Sequence, residues 1–443
     1  MATTDGALPK SIGLVHAVGL YFAAVVGAGV LVLPGLAARI SGVGSLWAWV
    51  VASLLGLPLA LTFAALAARF PDAGGMSVYV AKAFRGPWGD LTGWFYLTAA
   101  ATGQVIVPLT GADYVASAFH MGPGATTLLA LVLLAAAVSL NLFGLRLGAG
   151  VQVGLSALVA LTLLTTTAVA IPHIPWHTLR PSGADVGAIG QTVVLIFFAF
   201  SGWEAIAPLA EEFRDPARDV PRATYLTAGL ITVVYVGVAL AVVGTGTRGD
   251  TAVMTVLSRA TGLGLGPVMA TVAVLICLGT TNAFVAGASR LAYGLARRAA
   301  LPAALARLSA RKVPAVGAAA IGLYAAAGLA LTYAAGWGLA PILRVTDAFV
   351  LSTYVLVMAA GVCILRGSAR LLAGIGLVAY TATLPFAGVS LLAPVALATG
   401  ALAIRGYPKT GREPRGPIGP RSQTSNPYPR PSVELSADED GLS

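Results

Sequence analysis

Long apolar runs alternate with short polar ones over the first 405 residues of the chain. They lie at roughly 12–38, 46–68, 91–119, 125–142, 147–171, 187–212, 223–246, 264–296, 313–335, 340–365, 370–383 and 385–404. Most reach the ~20 residues that a helix needs to cross the hydrocarbon core of a bilayer. Only helices or closed barrels satisfy their backbone groups there, and these runs are too long and continuous for barrel strands. The pattern predicts an all-α, polytopic membrane protein with about twelve transmembrane helices. The last two runs are short, and they read either as two thin helices turning at Pro385 or as one long re-entrant element.

Composition agrees with a bilayer as the solvent. Of 443 residues, 57% are hydrophobic and 10% charged, with a mean hydropathy of +0.85; a soluble domain carries roughly 25% charged residues. The 53 glycines suit helices whose backbones approach closely, since lipid offers little hydrophobic drive for association. The first apolar run follows only Lys10 and is too long for a signal-peptide core, so no cleavable signal is expected. Cys277 and Cys363 both fall in apolar runs. They are too few for a disulfide framework or zinc site and read as buried packing residues.

The net charge of +10 takes its meaning from its distribution. With the N-terminus inside and the runs alternating, 22 Lys and Arg residues fall on the inner side. Four fall outside (Arg39, Arg180, Arg248 and Arg259), and Arg344 lies within a helix. The positive-inside rule then puts both termini in the cytoplasm, and no nucleic-acid partner is needed to explain the basicity. Trp47, Trp49, Trp88, Trp94, Trp176 and Trp337 fall near helix ends, where interfacial anchors are expected. From about Gly406 the chain turns to Pro, Ser, Arg and Gly and ends in Asp438-Glu439-Asp440, a composition that cannot bury a core. The expected organisation is a cytoplasmic segment 1–11, two repeats at 12–171 and 172–365, a final helix pair at 366–405 and a disordered cytoplasmic tail at 406–443.

Two helices carry breaks at corresponding places. The first reads Val26-Gly27-Ala28-Gly29-Val30 with Pro34 beyond; the sixth reads Phe200-Ser201-Gly202-Trp203-Glu204 with Pro208 beyond. Gly weakens a helix and Pro removes a backbone donor. Five helices separate the two starts, which is the signature of a five-plus-five inverted repeat whose discontinuous first members meet at the membrane midplane. Freed N–H groups at a half-helix N-terminus attract a carboxylate, and freed carbonyls can accept from an ammonium. A zwitterion would find both partners in backbone alone. Taken singly, a Gly-x-Gly is a packing or kink feature; paired breaks with a carboxylate in one point to a site.

That carboxylate is Glu204. An acid inside a membrane helix is costly and usually functional; it could respond to protonation, hold the unwound first helix, or serve as a structural hydrogen-bond partner. Arg344 and Asp347 stand at i,i+3 in the tenth helix, so an internal ion pair near its outer end is expected, with a coupling role as the alternative. Gln104 could line a pocket or act as interhelical glue. Thr280, Thr281 and Asn282 make the eighth helix locally polar, facing a cavity or a neighbour. There is no Walker loop, metal cluster or nucleophile elbow, and His16, His120, His173 and His177 are scattered. No cofactor or metal is expected, and transport would draw on a gradient or exchange.

These residues carry a family resemblance over about residues 10–365. Four segments share it: Val26–Val30 with Leu33-Pro34; Phe70-Pro71-Asp72-Ala73-Gly74-Gly75 followed by Tyr79, Phe84 and Gly93-Trp94; Phe200–Glu204 running through 211–222; and Ser289-Arg290 through Ala300-Leu301-Pro302. Together they resemble the amino acid–polyamine–organocation transporter superfamily. The sixth-helix block, the Ser45–Trp49 run and the short final pair are most similar to the bacterial exporter branch for methionine and branched-chain amino acids. The resemblance implies that Gly27, Ala28 and Gly29 cradle a substrate carboxylate, and that carbonyls near Phe198, Phe200 and Ser201 receive the amino group. It places Phe198 and Phe284 at aromatic gates or pocket walls and Gln104 at a polar pocket position.

One departure bears on mechanism. The fifth helix, about Val151–Ile171, lacks the Lys that some proton-coupled relatives use, which leaves Glu204 as the leading protonation candidate, with Thr280 and Thr281 as gating residues. The pocket also lacks a second acid suited to a cationic side chain. The expected function is alternating-access export of neutral hydrophobic amino acids (methionine, leucine, isoleucine, valine) coupled to protons. A proton-coupled importer and a non-transporting membrane sensor are the alternatives. Monomer and homodimer both stay open.

Overall fold

The computed structural model describes residues 14–70, 75–144, 149–179, 185–203 and 216–405. Among them all regular structure is helical. The helices are α1 (Leu14–Val25), α2 (Gly29–Ser41), α3 (Gly44–Arg69), α4 (Met76–Ala83), α5 (Trp88–Phe119), α6 (Pro123–Leu142), α7 (Ala149–Ala170), α8 (Val186–Ile196), α9 (Pro216–Gly244), α10 (Ala252–Thr261), α11 (Gly266–Arg297), α12 (Ala315–Ala334), α13 (Leu339–Ile364), α14 (Gly367–Ala387) and α15 (Leu392–Arg405). The chain divides into two compact units, Met1–Gly400 and Ala401–Ser443; the described part of the second is the 401–405 end of α15. The tail from Gly406 lies outside the described residues.

The protein is an all-α polytopic membrane protein. Eight described helical stretches are long and apolar enough to cross a bilayer, and α1 with α2, bent by 50° at their junction, forms a ninth. The 32-residue α5 has ample length, but Thr, Gly and Gln104 dilute its apolar character. The last apolar stretch, Gly367–Ala403, is divided by a 3-10 turn at Gly388–Leu391. Pro385 stays inside α14, and the turn falls at Gly388, whose φ of 55° is the conformation glycine tolerates best. Pro34, Pro58 and Pro108 also stay inside helices, since neighbouring helices can re-satisfy the groups a proline frees.

Helix α5 is the centre of the main unit and packs against α11, α13, α6, α12 and α4. Its residues 99–112 are buried almost without exception. Small side chains permit this closeness: a Cβ on Gly93 would fall 2.6 Å from Leu295, and one on Gly111 3.0 Å from Cys277. Its threonines donate back to their own helix, as in Thr92 to the Trp88 carbonyl and Thr110 to that of Ile106, so the hydroxyls are satisfied without water.

Several expectations are corrected here. Trp49 and Trp94 are buried rather than interfacial. Trp49 packs edge-on against Tyr235, and the Trp94 indole donates to the Ala300 carbonyl at 2.9 Å; nearness to a helix end does not decide which face a ring takes. Trp47, Trp88, Trp176 and Trp337 are exposed as anchors should be. Cys277 is buried, but Cys363 is exposed, because it sits on the outward face of α13. Arg344 is exposed while Asp347, on the same helix, is fully buried. The expected ion pair does not form, since the side chains diverge and neither Asp347 oxygen has a partner among the described residues.

Candidate functional site

The first membrane helix is interrupted where the sequence loses helix formers. α1 ends at Val25, residues 26–28 leave the helix, and α2 restarts at Gly29. The first N–H groups of α2 have no intrahelical carbonyl behind them. The sixth helix breaks as well: α8 ends at Ile196, a 3-10 turn covers Phe197–Phe200, and Ser201 is extended. Glu204, Pro208 and 211–215 lie outside the described residues, as do Pro71–Gly74 of the loop motif.

The two breaks touch. Gly202 has a φ of 121°, and a Cβ there would fall 2.2 Å from the Ala24 carbonyl oxygen and 3.0 Å from the Val25 Cα. Only glycine allows both the backbone conformation and this approach. Tyr235 of α9 bridges the breaks, its hydroxyl lying 3.0 Å from the Ala199 carbonyl and 3.5 Å from that of Val25. Ser156 of α7 donates to the Val26 carbonyl at 3.4 Å, and Tyr114 of α5 donates to the Leu31 carbonyl at 2.8 Å, one turn into α2. A third ring, Phe200, packs with Trp49 and Tyr235.

Beside the breaks lies a cavity of about 560 Å³, within the range of small-molecule sites. Val25–Val30, Phe198, Ala199, Ser201 and Gly202 form one wall, and Thr280, Ala283 and Phe284 of α11 face them. It extends along Tyr96 and Gly93 to Gly75–Ser77 and to Gly287 and Arg290. The lining is mostly aliphatic, aromatic or backbone. Arg290 is the one charged side chain among the described lining residues, and it sits at that far end.

The structure therefore brings Gly27, Ala28, Gly29, Phe198, Ser201, Gly202, Thr280 and Phe284 around one space. Three of the expected residues stand elsewhere. The Phe200 side chain turns away into the Trp49–Tyr235 cluster. Thr281 is buried outside the lining. Gln104 lies behind Phe198 and Phe284 on a separate crevice of about 10 Å³, its amide donating to the Ala100 carbonyl at 2.9 Å. Gly29 is shaped by Phe198, since a Cβ would fall 2.8 Å from that ring. Gly27 is roomier, with Thr280 3.5 Å from the place of a Cβ.

Sequence reasoning missed Tyr235, Ser156 and Tyr114. Each is one hydroxyl among several in an apolar or small-residue helix, and no local motif marks it. Their common trait, hydrogen bonds to carbonyls at a break, is visible only in three dimensions. At the opposite end of α2 the chain is latched: the Gly249 N–H donates to the Gly35 carbonyl at 3.3 Å, and Arg39 lies 3.8 Å from Asp250.

Comparison with known proteins identifies this arrangement. The family model for amino acid permeases matches residues 12–409. The chain is 35% identical over 310 residues to an uncharacterized amino acid permease, YecA, of Bacillus subtilis (strain 168), covering 69% of this chain and 73% of the relative. It is 27% identical over 377 residues, 83% of this chain and 90% of the relative, to the L-methionine/branched-chain amino acid exporter YjeH of Escherichia coli (strain K12). It is 27% identical over 320 residues, 68% of this chain and 72% of the relative, to the serine/threonine exchanger SteT of Bacillus subtilis (strain 168). A match over nearly the whole membrane region, together with two helices interrupted beside a shared cavity, places the chain in the amino acid permease family, a family of membrane transporters and not of enzymes.

Proposed function

We propose that the protein exports neutral, apolar amino acids, with methionine, leucine, isoleucine and valine as the substrate class, by alternating access coupled to protons. The observation that carries this reading is the cavity itself: two sets of unwound backbone face an otherwise apolar space. The N–H groups at the start of α2 suit a carboxylate. The carbonyls around Phe198–Ser201 suit an ammonium. The aliphatic and aromatic walls suit a hydrophobic side chain, and none of the described lining residues is acidic, so a cationic side chain would lack a partner. The similarity to the methionine and branched-chain exporter supports both the substrate class and the direction.

In this reading both termini are cytoplasmic, the cavity leads to the cytoplasm, and the Arg39–Asp250 end is the closed outer face. Gly27, Ala28, Gly29, Phe198, Ser201, Gly202 and Phe284 bind substrate, with Phe198 and Phe284 as the aromatic walls. Thr280 shapes the gate, and Glu204 is the residue that responds to protons. Tyr235 and Ser156 hold the two breaks in register. The inverted repeats at 12–171 and 172–365 supply the bundle and scaffold that move against each other.

The test is a flux screen of labelled neutral, acidic and basic amino acids in proteoliposomes of known orientation, with and without an imposed pH gradient. Leucine and methionine are expected to move from the cytoplasmic face outward, faster with an inward proton gradient. Gradient-stimulated movement in the importing direction alone, or equal flux of arginine, would refute the proposal; binding without flux would mark a sensor.

A further inference from the structure

Asp347 of α13 is the buried acid that the substrate site does not use. It is completely inaccessible, and neither carboxylate oxygen has a hydrogen-bond partner among the described residues. The backbone at Phe198 faces it. Phe198 belongs to the sixth-helix break, and its ring abuts Gly29 in the first. One residue thus touches the substrate cradle with its side chain and the buried acid with its main chain.

A small space lies next to this acid. The 10 Å³ crevice, about the size of one water molecule, is lined by Gln104, by Val107, and by Thr346 and Val350 of α13, the residue before Asp347 and the one three places after it. Tyr96, Ala100, Phe198, Ser201 and Phe284 line both this crevice and the large cavity. The Gln104 carbonyl oxygen is buried and unpartnered too. Buried acceptors short of donors on two helices beside one small space call for a bound proton donor.

We infer that Asp347 is a proton-binding site, reached from the substrate cavity past Phe198, whose occupancy is set by the position of the sixth-helix break. The step forms and breaks one O–H bond: a carboxylate oxygen takes a proton from water in the crevice and returns it there. Substrate seated against Gly29 and Phe198 shifts the break, and the shift opens or seals the crevice. The inference rests on the proton coupling proposed above and adds to it a second site besides Glu204.

Among the described residues, no charged group pairs with Asp347. Of the elements packed on α13, α8 and the 3-10 turns at Phe197–Phe200 and Gly388–Leu391 carry no titratable side chain. Helix α3 carries Arg69, α4 Tyr79 and Lys82, α5 Asp90, Tyr96, Asp113 and Tyr114, and α14 Arg370 and Tyr380; α13 itself adds Arg344, Tyr354 and Cys363. None of these hydrogen-bonds to either Asp347 oxygen or forms an ion pair with it.

The experiment compares the wild type, D347N and D347E in proteoliposomes, measuring labelled-leucine flux with a pH gradient, with a sodium gradient, and in leucine–leucine counterflow. Wild-type flux without any response to the pH gradient would sink the proposed coupling as a whole. Given a response, D347N is expected to keep counterflow and to bring the ratio of leucine flux with the pH gradient to flux without it down to one. D347E keeps the ratio and shifts the pH of half-maximal flux. A D347N ratio equal to the wild type's, an unshifted midpoint in D347E, or stimulation by sodium in place of protons overturns the assignment. If D347N loses both fluxes, proton release on leucine binding decides, read with a pH dye on the purified proteins in weak buffer. Release by the wild type and none by D347N supports the site, and any other result refutes it.

Discussion

Tyr235 shows how much of this site rests on single hydroxyls. Its phenol is fully buried and reaches the Ala199 and Val25 carbonyls at 3.0 and 3.5 Å, so one side chain spans both unwound segments. Tyr235→Phe keeps the ring that packs on Trp49 and Phe200 and removes only the donor. A lost hydrogen bond contributes about 0.5–1.5 kcal/mol, and an orphaned buried carbonyl costs about 1–3 kcal/mol. The expected result is a protein that still folds, with leucine affinity weakened about three- to ten-fold, measured by equilibrium binding in detergent. Unchanged affinity would show that the breaks hold without the bridge. The glycines at the breaks were legible in the sequence because an absent side chain inside a membrane helix is itself a signal. Tyr235 was not, because a tyrosine in an apolar run has many equivalent explanations until its partners are seen. Asp347 was misread for its charge. Spacing along one helix suggested Arg344 as its partner, whereas burial is decided by what packs around the helix, and the two side chains part.

At the scale of elements, the breaks were predictable and the prolines were not. Pro34, Pro58, Pro108 and Pro385 all sit inside helices, and the interruptions fall at the Gly27 and Gly202 stretches, the second where backbone approaches backbone. The latch at the far end of α2 was invisible in the sequence, because it joins residues 35 and 249. There a Cβ on Gly35 would overlap the Gly249 carbonyl, and Arg39 faces Asp250. Burial raises the Asp250 carboxyl above its ordinary range, and Arg39 partly offsets it; Asp113 of α5 lies within electrostatic reach. A group protonated more readily in the fold than out of it stabilises fully below its unfolded value of about 4. That contribution fades as pH rises through the raised folded value. Asp250→Asn is therefore expected to melt higher than the wild type at about pH 7, by on the order of 1 °C given partial exposure and screening. The difference should vanish near about pH 4. Thermal melts in detergent across that range check the sign, and a deficit in the variant at neutral pH would mean that the Arg39 attraction outweighs burial.

For the whole molecule, the question is which side the cavity faces. Fold class and family could be read from the hydropathy pattern and four motifs, since a bilayer allows few solutions. The side of access could not, since it depends on which end of a packed bundle has parted. Gly287 of α11 offers a probe. It lines the cavity and is exposed, and a Cβ placed on it meets nothing within 4 Å, so Gly287→Cys adds a thiol without displacing a neighbour. The background must be Cys363→Ser, because Cys363 is exposed, while Cys277 is buried and can stay. A membrane-impermeant maleimide should label Gly287→Cys in inside-out vesicles and fail to do so in right-side-out ones. Saturating leucine should slow the reaction several-fold, either by filling the space between Thr280 and Gly27 or by driving the bundle toward its other face. Reagent supplied from each side in turn separates these two causes. Occlusion lowers labelling from the inner side alone, whereas a shift of the bundle lowers it there and opens the same thiol to reagent added outside. Labelling from the outer side in the absence of leucine would reverse the orientation assigned to the cavity.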